Sequence, residues 1–70
     1  MSIHQAHAYI ELEIARIARS ASPAQDRTFI EGMIEMAVFL HQINQQEAEC
    51  YREALAAKSG DRIVRLRSAA

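Results

Sequence analysis

Residues 29–43 read FIEGMIEMAVFLHQI, and how this stretch is read decides the fold. It holds no Pro, one Gly and two acids. At about 100° per residue, Phe29, Met33, Met36, Leu40 and Ile43 form one stripe with spacings of four, three, four and three. A second stripe, Ile30, Ile34 and Ala37, runs beside it, with Val38 at its edge and Phe39 on the other flank. Only Thr28, Glu31, Glu35 and Gln42 form a polar wedge. The apolar arc covers roughly 260°, far wider than the roughly 100° stripe of an ordinary surface helix. Such a helix is expected to be buried on two sides, once by its own chain and once by a second copy. Gly32 costs up to about 1 kcal/mol relative to Ala here and either admits a close backbone or is simply tolerated.

The remainder of the chain is short. Seventy residues allow one domain. A chain of this size buries only about 60% of its unfolded surface, so association is the expected extra source of stability. The single Cys50 permits no internal disulfide, and no Cys-rich zinc pattern exists. The longest apolar run is broken by Glu35, which argues against a membrane span, and the N-terminus lacks the order of a signal peptide. A cytoplasmic protein without membrane contact is expected.

Working outward, Ser2 and Gln5 form a capping box, and Ile3, Ile10 and Ile17 recur every seven residues with His7, Ile14 and Ala21 between them. This predicts a first helix over residues 3–19. Ser22 as N-cap, Pro23 at the first helical position and Gln25 three residues past the cap predict a second over 23–42. The short link makes the two antiparallel neighbours. Asn44 and Glu47 form another capping box and open a third helix over 45–58, with Ala48, Tyr51, Ala54 and Leu55 on its apolar face. Ser59-Gly60 reads as its stop. The chain thus divides into a helical dimerisation and binding unit, 1–58, and a basic tail, 59–70, that fits either a short helix or an extended arm. Residues 1–57 hold four bases and eight acids, whereas 58–70 hold four bases and one acid.

The fold expectation is all-α, a helical hairpin plus a third helix, packed or intertwined as a homodimer. Its interface would use Phe29, Met33, Met36 and Leu40 of the second helix and Ile10, Ile14 and Ile17 of the first.

No catalytic set emerges, and neither a cofactor nor a small-molecule substrate is expected. His4, His7 and Glu11 share a helical face at metal-binding spacing, but they sit at a frayed helix start and His7 falls on the apolar seam. No metal is expected. His41 suits the dipole at a helix end, and Cys50 reads as an inert thiol. The second and third helices imitate a helix-turn-helix, yet Glu47, Glu49 and Glu53 would repel phosphate. Specific nucleic-acid binding is not expected. Glu31 with Glu35 forms a like-charged pair four residues apart, either an ordinary solvated face or a docking ridge. Tyr51, Arg52, Arg62 and Arg65 are of the types enriched at binding hot spots and complete the candidate partner surface.

The three capped helices, with IEGMIEMAV in the middle one and INQQEAECYREAL after it, resemble the small helical proteins of phages and prophages that bind and inhibit host proteins. In length and layout the chain is similar to the quorum-sensing anti-activators of Pseudomonas phages over residues 3–57. The resemblance implies a dimer that acts in the cytoplasm of the bacterial host, binding and blocking a transcriptional activator of the LuxR type. It transfers no functional residue. Two other readings stand beside it, a structural dimerisation or adaptor module and a weak nucleic-acid-associated regulator acting through the basic tail.

Overall fold

The computed structural model describes residues 2–69 and contains three helices: α1, Ile3–Arg16; α2, Pro23–Phe39; and α3, Gln45–Ala69. A 3-10 turn, Ile17–Arg19, finishes α1, so the first helical stretch ends where its sequence predicts. Its start is set by the expected box: Ser2 Oγ accepts from the Gln5 backbone at 3.1 Å, and Gln5 Oε1 accepts from the Ser2 backbone at 2.8 Å. Asn44 and Glu47 close the same reciprocal pair at the head of α3, at 2.7 and 2.9 Å.

The expected box at α2 does not form. Ser22 makes no side-chain cap; its backbone N–H donates instead to Ser20 Oγ, and that hydroxyl donates to the Asp26 carboxylate. Ser20 and Asp26 therefore pin the turn, while Pro23 occupies the first turn of the helix as its fixed φ favours.

The end of α2 comes three residues early. His41 adopts φ 59°, its N–H donates to the Val38 carbonyl, and the Gln42 N–H donates to that of Ala37. This is a Schellman ending, with His41 in the left-handed position that Gly usually fills. The backbone of His41, not its ring, closes this helix. The reversal swings Ile43 into the core, away from the stripe that its spacing assigned.

Packing turns α1 and α3 slightly from their predicted faces, while α2 keeps its assigned stripe outward. In α1 the buried side is Ala6, Ile10 and Ile14, continued by Ile17, while Ile3 and Ala21 are exposed. In α2 it is Ile30, Ile34 and Ala37. Ile34 is 0% exposed and forms the middle of the core with Leu55 of α3. Ala54, expected on the apolar face of α3, is exposed.

The predicted stop at Ser59-Gly60 is overturned. Both residues lie inside a continuous helix, and no Gly in the described chain has positive φ. Ser59 is wholly buried and its hydroxyl donates to the Ala56 carbonyl, one turn back along the helix, at 3.2 Å. Beyond it, half-buried Ile63 and Leu66 lie along Ser22, Pro23 and Ala24 at the start of α2. This burial outweighs the roughly 1 kcal/mol that a helical Gly costs. The basic stretch is thus neither a separate short helix nor an arm but the distal part of α3.

Two contacts set how α3 lies. Tyr51 meets His7 near the start of α1, and Arg62 meets Ser20 just past its end. Contacts at both ends in the same order make α3 parallel to α1, with α2 antiparallel to both. The molecule is elongated, 41 × 19 × 15 Å.

Candidate interaction surface

The outer face of α2 is apolar and open. Phe29 is 64% exposed, Met36 56% and Leu40 53%, with Met33 half-buried beside them. These are the four α2 residues that the sequence assigned to an interface. Together with Tyr9 and Ile10 of α1 they border an open groove of 470 Å³. Tyr9 carries the apolar surface on to Leu12, also exposed, and Phe39 extends it along α2 at 77% exposure. An isolated exposed Leu needs no explanation, whereas a continuous apolar patch across two helices is a candidate binding surface.

The α1 part of the predicted interface needs correcting. Ile10, Ile14 and Ile17 are 1–5% exposed and belong to the protomer's own core. The heptad spacing is real, but α2 and α3 of the same chain fill the seam. Tyr9 and Leu12, which lie off it, are the α1 residues open to a partner.

Of the predicted partner-binding residues, three are engaged within the chain. Tyr51 bridges α1 and α3: its hydroxyl lies 2.6 Å from His7 Nδ1 and donates to Glu11 Oε1 at 3.2 Å. On its other side His7 Nε2 faces Glu47 Oε2 at 3.3 Å. Burial, reinforced by the charge and hydrogen bond of Glu11 and by Glu47, pushes the Tyr51 hydroxyl up to about 12. Arg62 Nε donates to the Ser20 carbonyl at 2.8 Å, and Glu31 pairs with Arg27 at 3.0 Å. Tyr51 and Arg62 are therefore internal fasteners, not free anchors. Glu35 and Arg65 are exposed and Arg52 is half-exposed.

The metal-like trio of His4, His7 and Glu11 does not gather: His7 and Glu11 both meet the Tyr51 hydroxyl, and His4 does not join them. Among the described residues no three His, Cys, Asp or Glu side chains come close enough to hold a metal ion. Cys50 is an exposed thiol. No described helix is long and apolar enough to cross a membrane. Sequence reading missed Ala6, Ser20 and Ser59. Small and polar residues give little periodic signal, and only tertiary packing shows that these three are buried.

Compared with protein-family models, curated proteins and solved structures, the chain matches none.

Proposed function

We propose that this protein acts by binding and not by catalysis, as a homodimer joined through the apolar face of α2, and that it inhibits a bacterial transcriptional activator. The observation that supports self-association is the joint exposure of Phe29, Met36 and Leu40 on one side of a helix whose other side is fully packed. A 70-residue chain gains most from covering such a surface. The inhibitory role rests on the resemblance of residues 3–57 to phage anti-activators. In this reading Glu35, Arg52 and Arg65 stay open to the partner after dimerisation, and the glutamates of α2 and α3 speed encounter with a basic DNA-binding domain.

Two measurements test it. Light scattering at micromolar concentration should give twice the chain mass; a stable monomer would remove the dimer. Pull-down from bacterial lysate followed by titration should release a captured activator from its operator, with no shift of the operator alone. A shift of operator DNA by this protein itself, lost with salt, would instead support the nucleic-acid reading. The placing of Lys58 and Arg65 on one side of α3, around the Ser20-bound Arg62 and with Asp61 as the one acid among them, is the feature that favours that alternative.

A further inference from the structure

The geometry points to an antiparallel α2–α2′ contact between two copies of this chain, in which Met36 of each protomer seats over Gly32 of the other. The inference rests on the dimer proposed above and specifies its arrangement.

Phe29, Gly32, Met36 and Leu40 lie at spacings of three, four and four, on one outward stripe of α2. A Cβ added to Gly32 would meet nothing within 4 Å, so no part of the protomer accounts for the absent side chain. The glycine leaves a notch in a row of large, exposed apolar side chains. Met36, one turn further on, is a flexible knob of the kind that fills irregular gaps. A knob and a notch four residues apart on one helix complement themselves only when a second copy runs the opposite way. The two-fold axis then passes between them, placing Met36 over the partner's Gly32 and the reverse, with Phe29 near the partner's Phe39 and Leu40. In a parallel pair Gly32 would face Gly32 and Met36 would face Met36, leaving a gap beside a crowded contact.

Charge selects the same arrangement. Tyr51 beside His7 and Arg62 beside Ser20 fix which residues share each end of the molecule. Every Lys and Arg except Arg52 lies toward the α1–α2 turn, where Glu13, Asp26 and Asp61 offset only part of their charge, and Glu35, Glu47, Glu49 and Glu53 lie toward the opposite end. An antiparallel pair moves the cationic end of each copy toward the partner's glutamates. A parallel pair sets like ends side by side, which costs free energy at an interface.

The test uses the full chain with Cys50→Ser and Gln25→Cys, a spin label on the new thiol, and a dipolar distance measurement. Gln25 is exposed at the first turn of α2. With Met36 opposite Gly32, the two Gln25 positions lie about 27 Å apart along the helix axis, at 1.5 Å per residue. A parallel pair would hold them about 10 Å apart, the usual interaxial spacing. A distance centred well above 20 Å is expected; one set only by packed neighbours overturns the arrangement while leaving the dimer standing. A labelled protein that scatters light as a monomer at all concentrations removes the dimer as well, and this inference with it. Gly32→Ala gives a second readout. It fits the protomer without a clash, so helicity should be kept or raised while the dimer dissociation constant rises at least tenfold. An unchanged constant overturns the seat at Gly32.

Discussion

Arg62 Nε donates to the main-chain carbonyl of Ser20 at 2.8 Å, joining the distal part of α3 to the turn between α1 and α2. The same turn is held from within by Ser20 Oγ on Asp26. Ser20 thus serves three partners, Arg62, Asp26 and the Ser22 N–H, and its carbonyl would otherwise lie at the end of the 3-10 turn with no helical donor.

Arg62→Ala should lower the unfolding free energy by about 1.5–3 kcal/mol, the scale of a hydrogen bond from a charged donor. Arg65→Ala, one turn along at an exposed position, should change it by less than about 0.5 kcal/mol. Urea titration of the two variants separates them. Equal effects would mean that Arg62 acts only as surface charge.

The raised Tyr51 predicts loss of stability in alkali. Between pH 10 and about 12 the unfolded chain has lost this proton and the folded chain still holds it. The unfolded state binds fewer protons there, so stability falls as pH rises. The contribution is complete below pH 10 and gone above about 12. Melting temperature followed across this range should fall less steeply in Tyr51→Phe than in the parent. In a Tyr9→Phe background, ultraviolet absorbance should show Tyr51 ionising near pH 12.

Gly60→Ala should stabilise the protein by up to about 1 kcal/mol, because position 60 is an exposed helix interior with open space for the methyl group. A glycine ending a helix in the left-handed region would respond in the opposite sense. The direction of the change in thermal midpoint therefore reports directly on whether α3 is continuous.

His41→Gly should also stabilise, by about 1 kcal/mol, since φ 59° is a strained conformation for histidine and an easy one for glycine. The ring makes no contribution to closing α2 in this geometry. A loss of stability on substitution would show that it does.

Ile34→Ala and Met36→Glu should separate the two sides of α2. The first truncates a fully enclosed core side chain and should cost about 2–5 kcal/mol at any protein concentration. The second puts a charge on a surface that is open in the protomer and covered in the proposed dimer. Its helical circular dichroism should persist, while the rise of the melting midpoint with protein concentration is lost. A wild-type midpoint independent of concentration would argue against association.

The sequence by itself determined the three helices and most of their starts. Ser2 with Gln5 and Asn44 with Glu47 act through bonds three residues apart, so no distant contact can alter them. It also determined that α2 carries more apolar surface than one chain can cover, because the residues from Phe29 to Leu40 leave only a narrow polar wedge. What local pattern leaves open is the reason that the stripe of Phe29, Met36 and Leu40, and not its neighbour, faces outward. Ile30, Ile34 and Ala37 and the row of Phe29, Met36 and Leu40 are nearly equal as local patterns, and only α1 and α3 packing on one side separates them. The heptad of Ile10 and Ile17 likewise names a seam without saying whose helix fills it. Tertiary structure alone decided the fate of residues 59–69. Locally, Ser59-Gly60 ends a helix. Burial of Ser59, the seating of Ile63 and Leu66 beside Pro23, and the bond from Arg62 to Ser20 lie 38 or more residues apart in sequence, and together they outweigh a local preference worth only about 1 kcal/mol.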